Sequence, residues 1–218
     1  KEDYHQRSGR DLIDDLEADL HKKNPKELWE NIFKLLGDRF RTVYMDRIRQ
    51  WCTDHEILFT GHLMHESHPQ SAILANGNPV NAMRAFSMPG IDEISSRTNF
   101  NDIEWNTFKL LESAMHGKRT EALAELFALG PADMTPAKMR QMIYLAALHG
   151  VNHFVLAVSA LDARGNVEKS LYYNPMAPTQ PWFRYIAELN DSAAIAASLT
   201  RKESSTFIAL RYPQGLSS

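Results

Sequence analysis

Thr120–Pro136 reads TEALAELFALGPADMTP, and the fold turns on how this stretch is read. Leu123–Phe127 is a short apolar run interrupted by a single acid, Glu125, which predicts a buried strand carrying a carboxylate. A loop of Gly, Pro and Asp follows. Thr135 and Pro136 then open a helix as N-cap and first helical residue. A carboxylate at the C-terminal end of a strand, just before a loop, is where α/β barrels place their chemistry.

Outward from this strand the same alternation recurs. The helix opened by Thr135 is expected over 135–149, with Gly150 as its stop, and Val151–Ser159 (VNHFVLAVS) reads as a fourth strand. On the other side, Ile57–His62 (ILFTGH) reads as a first strand and 70–86 as a helical segment broken near Gly77 and Pro79. Gly90–Ser95 (GIDEIS) reads as a second strand. Residues 102–116 read as a helix with Trp105, Phe108, Leu111 and Met115 facing inward. Four βα-type units in succession argue for a parallel sheet covered by helices. Their continuous apolar runs suggest strands buried on both faces. No GxGxxG and no GxxxxGK[ST] follows any strand, which weakens nucleotide-binding folds and favours a barrel.

Three helices are expected before the first strand. Residues 11–22 align Leu12, Ile13, Leu16 and Leu20 on one stripe. A second helix starts at Pro25 and ends at Gly37, carrying Trp29, Ile32, Phe33 and Leu36. A third, from about Asp38 to Asp54, buries Val43, Tyr44, Ile48, Trp51 and Cys52. After Ala160 the segment LDARGNVEKSLYYNPMAPTQPW reads as a long loop, followed by a helix over 181–198. The closing TFIALRYP is strand-like and finds no partner in the chain, so 201–218 reads as a linker and the start of a following β-type domain.

Composition excludes several function classes. A formal net charge of −3 over 218 residues gives no reason to expect nucleic acid or an anionic membrane as partner. The single cysteine, Cys52, rules out an intramolecular disulfide and a cysteine-rich zinc site; on an apolar helix face it reads as a buried inert thiol. No apolar run approaches the ~20 residues of a membrane span, and KEDYHQRSGR lacks the apolar core of a signal peptide. Four Trp, seven Tyr and ten Phe suit both a core and stacking on sugar rings.

Chemistry-bearing residues gather in a few places. Glu125, flanked by Leu123, Ala124, Leu126 and Phe127, is costly to bury unless paired, hydrogen-bonded or protonated. It reads equally as a functional acid or as part of a structural ion pair. GHLMHESHP (61–69) follows a strand and holds His62, His65, Glu66 and His68. Imidazole and carboxylate suit divalent ions, but the spacing is not HExxH, and a loop that hydrogen-bonds a polar ligand fits better. Asp92 and Glu93 are successive strand residues and so point to opposite faces. Asn152 and His153 open the fourth strand, at the end opposite a barrel's catalytic face, where loop anchoring is expected. Ser159 and Asp162, at its other end, carry no motif.

The order DLIDDLEADL, ILFTGHLMHE, GNPVNAMRAFSMPGID, ALAELFALGPADMTPAKMR, GVNHFVLAVS, QPWFRYIAELND resembles large bacterial glycoside hydrolases of the alpha-L-rhamnosidase-like type. The resemblance spans nearly the whole chain and rests on order and spacing. It implies an α/β fold, the C-terminal half of a (β/α)8 barrel with extra N-terminal helices over 1–200. It further implies a carbohydrate substrate, an alpha-L-rhamnoside or related sugar, and a periplasmic or extracellular setting. It maps the catalytic base or nucleophile onto Glu125, sugar-binding or supporting residues onto His62 and Glu66, and a further acid onto Asp92. His65 shares the sugar-binding loop. Some members use calcium near the sugar, yet the sequence holds no calcium-loop pattern from which to assign ligands.

Glycoside hydrolysis normally needs two carboxyl groups. In related barrels the general acid comes from an earlier strand, so unless Glu66 serves as the acid only one half of the pair is expected here. Four strands of eight also leave open edges, so the rest of the barrel is expected from a longer parent chain or a second copy. Trp182, or the pair Tyr172 and Tyr173, would supply an aromatic wall or simply pack the loop. Two other readings stand beside this one: a catalytically inert carbohydrate-binding barrel, and a metal-dependent hydrolase built on His62, His65, Glu66 and His68.

Overall fold

The computed structural model describes residues 1–19, 26–93, 103–117, 121–128, 134–167 and 176–200. Four strands form one parallel sheet: β1 (Thr60–Gly61), β2 (Met88–Glu93), β3 (Leu123–Leu126) and β4 (His153–Leu156). They lie side by side in chain order, each hydrogen-bonded to the next. The connections carry helices α5 (Pro69–Asn76) and α6 (Pro79–Met83), then α7 (Trp105–Met115), then α8 (Pro136–Leu148). A mixed α/β fold with a parallel sheet is what the strand–helix alternation predicts.

Strand order explains a departure from the predicted burial. Parallel crossovers are right-handed, so a sheet that grows in one direction receives all its helices on one face. Ile91, Glu93, Ala124 and Leu126 point to that face and are fully buried, over a core that includes Phe108, Leu111, Met139 and Ile143. The opposite face carries Asp92, Leu123, Glu125, His153 and Val155, and Val155 is 44% exposed. β2 is buried on both faces except at the half-buried Asp92, as its apolar run predicts, whereas β3 and β4 are better covered on one side than on the other. Asp92 and Glu93 do separate to opposite faces, as expected of neighbours in a strand.

β1, β3 and β4 are also shorter than the apolar runs that suggested them. Ile57 and Leu58 precede β1 and are 50% and 62% exposed. β2 begins two residues earlier than expected, at Met88; Ile94 and Ser95 lie outside the described residues. Thr135 caps α8 by accepting the Lys138 N–H, and Gly150 follows the helix with φ 95°. α9 (Ile186–Leu199), entered through a 3-10 turn at Phe183–Tyr185, packs on α8.

The N-terminal helices are α1 (Glu2–Ser8), α2 (Leu12–Asp19), α3 (Lys26–Arg39) and α4 (Asp46–Asp54). α1 was not anticipated; its Tyr4 is 1% exposed and donates to Asp15 at 2.7 Å. Arg7 and Arg39 join α1 to α3 through Asp38 and Asp3. Gly37 does not end a helix. It lies inside α3, where its missing side chain admits the Gly77 backbone: a Cβ at Gly37 would stand 2.7 Å from Gly77 Cα. Between α3 and α4 runs a π-helical stretch, Phe40–Met45, in which the Asp46 N–H reaches back five residues to Arg41 O. The extra residue per turn rotates the following face. Cys52 is buried as expected and Met45 joins it, whereas Val43, Tyr44 and Trp51, expected inside, are 38%, 58% and 56% exposed.

Candidate active site

The sheet ladder brings three of the sequence-singled residues together. Asp92 on β2 and Glu125 on β3 are direct register partners, on the face without helices. His62 follows β1 immediately. Its Nε2 lies 3.9 Å from Asp92 Oδ2 and 4.0 Å from Glu125 Oε2. One ligand-capable atom from each of the three lies within 4.8 Å of the others. These separations exceed a hydrogen bond, so the three groups surround a gap instead of closing on one another. The cluster lies toward the C-terminal ends of the strands, where parallel α/β folds bind ligands.

The electrostatics of the gap favour a proton. Burial raises the Asp92 carboxyl to about 6; His62 opposes this, while Glu125 and Glu104 push it further up. Asp92 Oδ1 is buried and accepts no hydrogen bond among the described residues. Glu104, at the N-cap of α7, was not singled out in the sequence; an acid just before a helix start was the available signal.

Glu66 stands behind this cluster. It is 4% exposed, and its two oxygens accept the backbone N–H groups of Leu63 at 2.7 Å and Asp92 at 3.0 Å. Burial pushes its carboxyl up to about 8, partly offset by those two bonds, with Asp92 and Glu93 adding to the rise. The loop is braced again by Asn76, whose side chain donates to Met64 O at 2.8 Å, and by Asn106, which donates to Glu66 O at 2.5 Å. Neither amide stood out in the sequence, since polar residues near helix ends are common.

The remaining candidates lie elsewhere. His65 is exposed with φ 59°, and His68 contacts Ser67 at 2.8 Å. The set His62, His65, Glu66 and His68 therefore does not form a metal cluster; among the described residues the one group with suitable spacing is His62, Asp92 and Glu125. An imidazole and two carboxylates do not fit calcium, which takes six to eight oxygens; they suit a transition-type divalent ion better. Trp182 is half-buried against the core, with its indole N–H lacking an acceptor among the described residues. Asn152 anchors the start of β4 by accepting the Ala122 N–H, and His153 pairs with Glu121 at 3.0 Å. Asp162 holds its own turn through Arg164 and Asn166, and Ser159 is exposed. Tyr172, Tyr173 and the 201–218 segment lie outside the described residues.

Cys52 is a free, buried thiol. No helix among the described residues is long and apolar enough to cross a membrane. Compared with protein-family profiles, curated proteins and solved structures, the chain finds no match.

Proposed function

We propose that this chain is the C-terminal half of a (β/α)8 glycoside hydrolase barrel, with Asp92 and Glu125 as its carboxyl pair. The observation that carries the reading is their spacing: facing positions on adjacent strands, with an oxygen of each within 4.8 Å. Retaining glycosidases hold their carboxyl groups about 5–5.5 Å apart and inverting ones about 6.5–9.5 Å. The short separation therefore favours retention. Asp92, held toward its protonated form, serves as the acid that protonates the leaving oxygen. Glu125 attacks the anomeric carbon, and water later releases the sugar with Asp92 acting as base. A half barrel accounts for the sequential strand order and the one-sided cover. The other half comes from a longer parent chain or a second copy, and the sugar is an alpha-L-rhamnoside or a relative.

The test is turnover of aryl glycosides by the intact protein, with Glu125→Gln and Asp92→Asn alongside. Mass spectrometry after exposure to an activated 2-fluoro glycoside reads the intermediate. A sugar adduct on Glu125 and a large loss of rate in both variants are expected. Undiminished turnover by Glu125→Gln would remove the proposal.

A second reading is favoured by the same three atoms. His62, Asp92 and Glu125 would hold a divalent transition-type ion, which supplies Lewis acidity and an activated water to a hydrolase. Elemental analysis decides between them: stoichiometric metal lost together with activity on chelation selects this reading, and metal-free activity rejects it.

A further inference from the structure

The β1–β2 ladder is short. It pairs Thr60 with Met88 and Gly61 with Pro89, and β1 then turns away at His62. Asp92 lies three residues beyond Pro89, the last residue of β2 paired with β1. A backbone N–H left facing an absent neighbour strand needs another acceptor. Glu66 supplies it. Its Oε2 accepts the Asp92 N–H, and its Oε1 accepts the N–H of Leu63, the residue after His62. One rigid, buried carboxyl thus joins the backbone beside His62 to the backbone of Asp92. Asn106 holds the Glu66 main chain from the start of α7, so the group is anchored as well as enclosed.

We propose that Glu66 is a positioning residue: its carboxyl replaces the missing strand pairing and sets the separation between His62 and the Asp92–Glu125 pair. It touches no substrate, being buried behind the cluster. Its importance for turnover rests on the glycosidase reading above; its effect on geometry is measurable without a substrate.

Exchanging the Glu66 carboxyl for an amide keeps its size and shape, so a response at the cluster reports the lost acceptor. The amide retains one acceptor oxygen and turns an NH2 group toward the second donor. Glu66→Ala loses both acceptors.

The experiment compares the wild-type chain with Glu66→Gln, Glu66→Ala and an Ile143→Val control by crystallography and by hydrogen exchange of the Leu63 and Asp92 amides. The wild-type separation of His62 Nε2 and Asp92 Oδ2 is 3.9 Å. With its acceptors lost, Glu66→Ala is expected to widen that separation and to speed exchange of both amides about tenfold or more, and Glu66→Gln to do so to a smaller extent. Ile143, buried on α8 among the core residues under the sheet, leaves both unchanged when replaced by Val. An unchanged separation in folded Glu66→Gln overturns the proposal, even if Glu66→Ala does not fold. A chain that cleaves no glycoside yet shows the widened separation loses the proposed function and keeps this inference. Glycoside cleavage with an unaltered separation does the reverse.

Discussion

Asp92 and Glu125 face one another across the β2–β3 ladder as direct register partners, two carboxyl groups on one surface of the sheet. Like charges at such positions repel, and the pair persists because Asp92 holds its proton into the mildly acidic range. Four expectations follow from this arrangement and from the packing around it.

Replacing Asp92 by Asn removes the repulsion. The Asp92 carboxyl is raised from 3.8 to about 6 in the folded chain, so the folded state binds the proton more tightly than the unfolded one. Its contribution to stability is fully present below about pH 4 and is lost as pH rises through 6. Asp92→Asn is expected to be more stable than wild type at pH 8, by about 0.5–1 kcal/mol, with little difference at pH 4. Urea midpoints at the two pH values measure it.

Glu66 sets a second pH dependence. Its folded value of about 8 lies above the ordinary 4.5. The stabilisation is complete below about pH 4.5 and disappears as pH rises through 8, a change on the order of a few kcal/mol. The urea midpoint of wild type should fall between pH 5 and pH 8.5. In Glu66→Gln, which has no proton to lose, most of that fall should vanish.

His62 opposes the rise of the Asp92 carboxyl. With Asp92 as the acid, glycoside turnover declines as pH passes about 6. Removing the imidazole in His62→Ala raises Asp92 further, so the alkaline limb of kcat against pH should move upward, by roughly half a unit or more. A limb that stays in place would show that Asp92 does not control it.

Gly37→Ala tests the contact between α3 and the Gly77 turn. Alanine is the better helix former by about 1 kcal/mol, yet its Cβ would meet Gly77 Cα at 2.7 Å, backbone against side chain. The helix has to shift, and a net loss of about 1–3 kcal/mol is expected. Thermal or urea denaturation reads it directly.

What was legible in the sequence followed from local chemistry. Thr135, Pro136 and Gly150 mark both ends of α8 because capping is a matter of a few adjacent residues. Asp92 and Glu93 separate because strand side chains alternate. The meeting of Asp92 with Glu125 was not legible, since register depends on how two distant segments align. Neither was the loss of Tyr44 and Trp51 from the core. A period of 3.6 places them inside, and the π-helical stretch at Phe40–Met45 turns them out. Gly37 misled for a related reason: glycine signals a helix end or a close approach with the same letter, and only the position of Gly77 separates the two.

The loop from His62 to His68 is fastened on three sides, by Glu66, Asn76 and Asn106. Inserting a residue there would break several fastenings at once, so this segment has little room to drift. Descendants of this sequence that acquire a new ligand preference should therefore do so with the His62 loop kept at its present length.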